Sequence, residues 1–202
     1  MSQEPKPLAR STPRPVLRAD GTDTFDRVVV EEPLEIRVDG EPIAVTMRTP
    51  GDDLDLAAGF LFTETTIRDI DELRALAFAG EEEPEPRNVV VATPARTLDV
   101  SRAKRSFYAG SSCGLCGKAT IDSIGVAVRA LTRDEDETTF ALSHLLELPL
   151  RMRAAQPTFD ATGGLHAAAL FDARGALLAL REDVGRHNAV DKVIGHAVRR
   201  RE

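Results

Sequence analysis

This chain of 202 residues contains few aromatic residues and few cysteines, and its basic residues are fewer than its acidic ones. Tryptophan is absent, tyrosine occurs once, and there are only two cysteines. The 26 Lys and Arg are outnumbered by 33 Asp and Glu, whereas nucleic-acid-binding proteins usually carry a surplus of basic residues. No apolar run approaches the ~18 residues that a membrane-spanning helix needs. We therefore expect neither nucleic acid nor a membrane as a partner.

The rest of the composition is that of an ordinary folded protein. Hydrophobic residues make up 42% of the chain and charged residues 29%, which is the balance of globular domains rather than of disordered chains. Residues 1–24 differ, because they combine prolines with basic side chains and contain no apolar segment that could serve as a secretory signal. The sequence therefore predicts a disordered tail over residues 1–24 of a cytoplasmic protein.

Apolar periodicity and turn residues predict a mixed α+β chain. Strands are predicted over residues 27–31 and 88–92, and hairpins over residues 34–47, turning at Asp39-Gly40, and over residues 165–181, turning at residues 172–175. Helices are predicted from Asp52 or Asp53 to Leu61 and over residues 70–77, 118–131, 143–155 (with an interruption at Pro149) and 187–200. We expect an N-terminal lobe of β-hairpin and helix over residues 25–105, and a second lobe over residues 106–202.

The two cysteines, Cys113 and Cys116, are separated only by Gly114 and Leu115. A disulfide across so short a loop would constrain the unfolded chain very little, so structural stapling is excluded. The pair precedes a predicted helix, whose free N–H groups and positive end favour thiolate over thiol, and Lys118 adds a cation. The spacing alone leaves three possibilities open: a thioredoxin-like redox pair, half of a zinc site, or a persulfide carrier.

A second motif, residues 162–166, places the paired glycines Gly163 and Gly164 directly before the strand predicted from Leu165 and includes His166. Paired glycines let the backbone bend sharply and offer its N–H groups to an anion. The alternative is a plain turn that leads into the strand.

The third motif, residues 182–192, lies at a predicted strand-to-helix junction and is rich in charged residues. Gly185 frees the backbone, the helix N-terminus suits phosphate, and Arg186 can form a fork of hydrogen bonds to phosphate or carboxylate. Lys192 is one helical repeat from Asn188, so their side chains share a face. A purely structural salt-bridge cluster is the alternative. Our candidate ligand-binding residues from both motifs are Gly163, Gly164, His166, Asp183, Gly185, Arg186, His187, Asn188 and Lys192.

Zinc-deaminase chemistry is not supported by these motifs. His187 opens a helix after a hairpin, as in the deaminase fold, but Ala189 occupies the position of the required catalytic glutamate. The cysteine pair also comes before the histidine rather than after it.

Together with residues 51–61, these motifs resemble one family, the formate dehydrogenase accessory sulfurtransferases. The matching segments occur in the family's order and cover nearly all of the chain beyond the tail: residues 51–61, 112–118, 162–166 and 182–192. The resemblance implies a cytidine-deaminase-like mixed sheet with flanking helices, plus a smaller N-terminal β-rich lobe. Family members continue past the helix that ends near Glu202, so we expect the C-terminal segment, with further strands and a cofactor-contacting loop, to be lacking.

The resemblance also implies an enzymatic role, that of a sulfurtransferase. A cysteine desulfurase would load persulfide sulfur on Cys113, with Cys116 as its relay partner. The acceptor would be a molybdenum or tungsten bis-guanine-dinucleotide pterin cofactor, bound as substrate before its insertion into the catalytic subunit of formate dehydrogenase. No permanently bound metal is expected, and a homodimer is compatible with the resemblance. The alternatives are a non-catalytic cofactor-binding chaperone and a thiol redox or zinc protein.

Overall fold

A computed structural model describes residues 9–100 and 139–201 of the chain. Its elements mix strands and helices, as predicted. In chain order they are β1 (Ser11–Leu17), β2 (Asp23–Val29), β3 (Glu32–Val38), β4 (Glu41–Arg48), α1 (Asp53–Thr63), a 3-10 turn (Ile70–Glu72), β5 (Leu73–Phe78), a 3-10 turn (Pro86–Asn88), β6 (Val89–Pro94), α2 (Leu142–Ala154), α3 (Pro157–Thr162), β7 (His166–Phe171), β8 (Leu177–Asp183) and α4 (Arg186–Arg200).

The largest sheet has four strands in the order β4-β3-β6-β5. Strands β3 and β4 form the predicted hairpin, and both turn residues, Asp39 and Gly40, have positive φ (53° and 82°), as the tightest hairpin turns require. Strand β6 is parallel to β3 and antiparallel to β5. The predicted hairpin over residues 34–47 and the predicted strand over residues 88–92 are therefore confirmed.

Helix α1 packs on one face of this sheet and completes an apolar core. Alternate residues of β3 point into it, as expected for a strand that is buried on one face. The core consists of Leu34, Ile36, Val38, Ile43, Leu56, Ala57, Phe60, Leu61, Ile67, Val90 and Ala92. The helix begins one residue after Asp52, which occupies the N-cap position without capping it; its carboxylate pairs with Arg10 instead.

Helices α1 and α4 cross with their backbones in close approach. A Cβ at Gly59 would overlap the carbonyl oxygen of Asp191, and a Cβ at Gly195 would overlap that of Asp55. Only glycine leaves room for such a crossing. Helix α4 also packs on the hairpin of β7 and β8, so it joins the hairpin to the first part of the chain.

Helix α2 lies against the β7–β8 hairpin and runs through Pro149 without a break. The predicted interruption at Pro149 is therefore wrong. The second half of α2 is held on the hairpin, because Arg151 Nη1 donates to the carbonyl oxygen of Gly175 at 2.8 Å. This tertiary contact offsets the backbone hydrogen bond that proline cannot donate.

The predicted disorder of residues 1–24 is wrong over residues 11–17 and 23–24, which belong to β1 and β2. Arg10 accepts a backbone hydrogen bond from Val30, and Arg18 donates one to Thr22. The even-numbered residues of β1 therefore form the backbone hydrogen bonds to β2. Pro13 and Pro15 are odd-numbered, so they occupy positions at which a backbone N–H would point away from β2 and would not be needed for the pairing. Proline is tolerated on an edge strand at such positions.

The helix predicted over residues 70–77 is also wrong. A single 3-10 turn is followed by β5, which pairs antiparallel with β6. Leucine, arginine and alanine favour a helix when the chain is considered locally. Here the pairing with β6 and the packing of Leu73, Leu76 and Phe78 against the core override that preference.

Several predictions fall outside the described residues. They include the helix over residues 118–131 and the boundary at residue 105, so the division into lobes stays a prediction. The helices predicted over residues 143–155 and 187–200 and the hairpin over residues 165–181 are confirmed as α2, α4 and β7–β8. Within residues 9–100 and 139–201, no helix is both long and apolar enough to cross a membrane.

Candidate functional site

The register of β7 and β8 brings two separate sequence motifs together. His166, the first residue of β7, pairs with Asp183, the last residue of β8. Because the strands are antiparallel, the glycines that precede β7 and the residues that follow β8 lie at the same end of the hairpin. We call this end of the molecule, with Gly163, Gly164, His166, Arg186 and His187, the hairpin mouth.

All five residues of the hairpin mouth are exposed. Gly163 ends α3 in the left-handed conformation, with φ of 67°, which favours glycine. Arg186 and His187 are the first two residues of α4, whose N-cap residue Gly185 has no side chain with which to cap the helix. The mouth thus combines a glycine turn, an arginine and a helix N-terminus, all of which can bind an anion.

Directly beneath the mouth, Asp183 and Lys192 form an ion pair with no exposed side-chain surface. Lys192 Nζ lies 2.7 Å from Asp183 Oδ2 and donates to the carbonyl oxygen of Thr49 at 2.8 Å. Asp183 also accepts from the backbone N–H groups of Thr49 (3.1 Å) and Gly185 (2.8 Å). A buried ion pair is tolerated only when the remaining hydrogen-bonding groups are satisfied in this way.

Asn188 extends this network to β4. Its Nδ2 donates to Asp183 Oδ1 (3.0 Å) and to the carbonyl oxygen of Met47 (2.8 Å), and its Oδ1 accepts from Thr46 (3.2 Å). The hydroxyl of Thr49 accepts from the backbone N–H of Val184. We call Thr49, Asp183, Asn188 and Lys192 the buried polar junction, because they connect the ends of β4 and β8 to the start of α4.

The candidate ligand-binding residues therefore divide into two groups. The hairpin mouth holds the five exposed ones, while Asp183, Gly185, Asn188 and Lys192 face the interior. Ligand binding by either group stays a prediction. Since the three buried side chains already have protein partners, we expect them to hold the backbone of the mouth rather than to contact a ligand. The geometry of this inner group is that of the alternative considered for the third motif, a structural salt-bridge cluster.

A sequence profile of the FdhD/NarQ family matches residues 29–202. The chain belongs to this family. Among its relatives, the sulfur carrier protein FdhD of Mycolicibacterium paratuberculosis is 50% identical over 184 residues, and that of Streptomyces avermitilis is 47% identical over 178 residues. Each alignment covers 86% of this chain, but only 65% and 63% of the respective relative. The chain thus spans less than two thirds of the length of these relatives.

The fold is also similar to a solved structure. A crystal structure of a protein from Desulfotalea psychrophila, described as a formate dehydrogenase accessory protein, matches with a TM-score of 0.69. The match covers 97% of this chain and 71% of that protein, at 22% sequence identity. At that identity the likeness concerns the fold alone, and it supports the α+β class. The family that the sequence motifs indicated is confirmed by the profile match over residues 29–202.

In this FdhD/NarQ family chain, Cys113 and Cys116 lie outside the described residues. Their predicted roles stay predictions. Within residues 9–100 and 139–201, no group of three or more potential ligands is arranged to hold a metal ion.

Sequence reasoning missed two residues that shape the site. Thr49 lies in the segment between β4 and α1, where nothing local distinguishes it from a loop threonine. Glu182 was included in the third motif, but its function was not recognised. Its side chain is buried and accepts backbone hydrogen bonds from the start of α3. The signal that could have found it is the placement of two adjacent carboxylates at the end of a buried strand, since they must point to opposite faces.

A second charged cluster joins α1, β8 and α4 on the other side of the helix crossing. Asp55 lies 2.9 Å from Arg181 Nη2 and 2.5 Å from Arg199 Nη1. Arg181 Nη2 is also 2.6 Å from Nδ1 of His196. The same ring nitrogen lies 3.4 Å from Asp55 Oδ2. The cluster contributes to the packing of the three elements, and Asp55 was part of the first family-like segment.

Proposed function

We propose that this chain is a sulfurtransferase that carries persulfide sulfur to a molybdenum or tungsten bis-guanine-dinucleotide pterin cofactor, as formate dehydrogenase requires. The relatives named sulfur carrier protein FdhD support the sulfur-carrying part, and the Cys113-x-x-Cys116 motif supplies the thiols. The observation that carries the proposal is the pairing of His166 with Asp183, which gathers two anion-favouring motifs at one end of a hairpin. We also propose a cytoplasmic location and a cytidine-deaminase-like core.

The loading step needs no oxidant. The thiolate of Cys113 attacks the outer sulfur of the persulfide on a cysteine desulfurase. A new S–S bond forms on Cys113 as the donor's S–S bond breaks, and the donor cysteine leaves as a thiolate. The sulfur keeps its oxidation state throughout.

The delivery step needs two electrons, because the metal receives sulfide. The thiolate of Cys116 can attack the inner sulfur of the Cys113 persulfide, which forms a Cys113–Cys116 disulfide and releases hydrosulfide. The hydrosulfide replaces an oxygen ligand of the metal, which leaves as water after protonation. A cellular dithiol then reduces the disulfide for the next cycle.

The hairpin mouth is suited to the other part of the substrate, its pyrophosphate groups. Arg186 can form two parallel hydrogen bonds to a phosphate, and the first N–H groups of α4 can donate to its oxygens. The glycine turn lets a large ligand approach the backbone closely. The proposed partners are a cysteine desulfurase, the catalytic subunit of formate dehydrogenase and, as a homodimer, a second copy of the chain.

Persulfide mass spectrometry tests the proposal. The full chain is incubated with a cysteine desulfurase and cysteine, and the peptide that contains Cys113 and Cys116 is expected to gain the mass of one sulfur atom. Cys113→Ala should abolish the gain, whereas Cys116→Ala should keep it but fail to restore formate dehydrogenase activity in a strain that lacks the native carrier. Ser112→Ala is the matched control and should behave like the wild type. Absence of the persulfide from the wild type would show that the chain is not a sulfur carrier.

A further inference from the structure

Glu182 is a buried carboxylate that the proposed chemistry does not use. Only 1% of its surface is exposed, and each of its two oxygens accepts one backbone N–H. Oε2 accepts from Thr158 at 3.0 Å, and Oε1 accepts from Phe159 at 2.7 Å. A fully buried glutamate is rare unless it is paired in such a way.

Thr158 and Phe159 belong to the first turn of α3, whose N-cap residue Gln156 makes no side-chain cap. Glu182 therefore supplies the missing cap from β8, although it lies 23 residues after Phe159 and 24 residues after Thr158 in the sequence. A carboxylate is the favoured partner of the free N–H groups at a helix start.

This cap is connected to the glycine turn through one short helix. Phe159 donates its N–H to Glu182, and its carbonyl oxygen accepts from the N–H of Gly163 at 2.7 Å. Thr162 adds a second tie, because its hydroxyl donates to the carbonyl oxygen of Thr158 at 2.7 Å. The Glu182 carboxylate is thus connected to Gly163 by hydrogen bonds through a single helical turn.

The neighbouring residue, Asp183, performs the corresponding task on the opposite face of β8. It accepts from the N–H of Gly185 and from Asn188 at the start of α4. Two adjacent carboxylates of one strand therefore hold the two halves of the hairpin mouth, with Glu182 on the glycine turn and Asp183 on the helix N-terminus.

We infer that Glu182 is a positioning residue that sets the place of the Gly163–Gly164 turn relative to the N-terminus of α4, and so the fit of a phosphate-containing ligand that contacts both. The inference rests on the proposed function, because it needs the hairpin mouth to be the ligand site. It adds that the mouth is preorganised by β8 rather than formed by a loose loop. Preorganisation of this kind lowers the entropic cost of ordering the site when a ligand binds.

Calorimetric titration of the full chain with GDP, which carries the guanine and the pyrophosphate of the proposed substrate, tests the inference. We expect Glu182→Ala to weaken GDP binding by about 10- to 100-fold, by analogy with the loss of a hydrogen-bond partner that orients a metal ligand. Glu182→Gln keeps the shape and one carbonyl acceptor, so its affinity should lie between those of Glu182→Ala and the wild type. Amide hydrogen exchange at Thr158, Phe159 and Gly163 should be slowest in the wild type, faster in Glu182→Gln and fastest in Glu182→Ala.

Two controls separate positioning from general stability. Glu147→Gln changes an exposed glutamate of α2 that pairs with Arg151 and should leave GDP binding unchanged. Ile36→Val loosens the apolar core under α1 and should lower the melting temperature without weakening GDP binding at a temperature at which every variant is folded.

The inference is overturned if folded Glu182→Ala binds GDP as tightly as the wild type, or if the wild type does not bind GDP at all. It is also overturned if affinity follows the melting temperature in all variants, including Ile36→Val. Persulfide loading of the wild type is measured separately. A chain that loads sulfur but binds GDP independently of Glu182 contradicts this inference alone, whereas a chain that fails to load sulfur contradicts the proposed function.

Discussion

The apolar core under α1 and the buried polar junction under α4 are equally inaccessible to water but are built from different chemistry. Leu34, Ile36 and Leu61 in the core are 0–1% exposed, and so are Asp183 and Lys192 in the junction. Apolar contacts are non-directional, and their energy is spread over many neighbours. The junction instead depends on a few directional bonds, each of which has a specific partner.

This difference predicts how each region responds to substitution. A core residue can be exchanged for one of similar volume, because its neighbours adjust and the lost contact energy is small. Removal of one member of the junction leaves the remaining partner buried without compensation, and that cost cannot be relieved by small shifts. The two regions meet where α1 crosses α4, so three substitutions can compare them.

The largest effect is expected at Lys192. Lys192→Met keeps most of the side-chain volume but leaves the Asp183 carboxylate buried without its cation. We expect the free energy of unfolding to fall by about 3–5 kcal/mol, as is typical when one partner of a buried ion pair is removed. Urea denaturation monitored by circular dichroism measures this loss.

A second substitution in the same background shows whether charge is the cause. Asp183→Asn, added to Lys192→Met, removes the unpaired charge and keeps an oxygen that can accept from Gly185. We expect the double variant to recover at least ~1 kcal/mol relative to Lys192→Met. If it is no more stable, the junction behaves like an apolar core and the proposed contrast is wrong.

An intermediate effect is expected at the helix crossing. Gly195→Ala gains up to about 1 kcal/mol of helix propensity, but its methyl group would overlap the carbonyl oxygen of Asp55. Overpacking typically costs about 1–3 kcal/mol and more where a backbone must move, so we expect a net loss of about 2 kcal/mol in thermal or urea unfolding.

Gly80→Ala is the matched control for this prediction, because the atoms nearest to a Cβ at Gly80 belong to the flexible end of Glu82. It should change the free energy of unfolding little. Equal stability of Gly195→Ala and Gly80→Ala would mean that α1 and α4 can separate without cost.

The smallest effect is expected in the apolar core. Ile36→Val removes one methyl group from a fully buried site, and we expect a loss of about 0.5–1.5 kcal/mol. The same urea denaturation measures it beside Lys192→Met. A loss as large as that of Lys192→Met would erase the distinction between the two regions.

Local patterns were sufficient for much of the fold. The alternation of Leu34, Ile36 and Val38 and the Asp39-Gly40 turn predicted a hairpin that the structure contains. They failed at residues 70–77, where pairing with β6 outweighed local helix preference, and at β1, where the prolines occupy the positions of an edge strand that need no N–H donor. In both places the deciding contact comes from a neighbouring strand and not from the segment itself.

The candidate site shows the same division between local and tertiary information. Residues 162–166 and 182–192 were each identified from their glycines and charges, yet nothing in either segment states that His166 faces Asp183 across a hairpin. The interior position of Lys192 was also unpredictable, because the helical spacing that gives it a common face with Asn188 does not tell whether that face meets solvent or β4.

By itself, then, the sequence determined the family, the α+β class, the cysteine pair and the segments proposed to carry the chemistry, because these depend on residue type and short spacing. Only the tertiary structure decided which charged residues of the third motif are exposed and which support the fold. The physical reason is the cost of burying charge: Asp183 and Lys192 can lie in the interior only because α4 and the segments that directly follow β4 and β8 converge to supply their partners. That convergence is a property of the assembled chain and of no single segment.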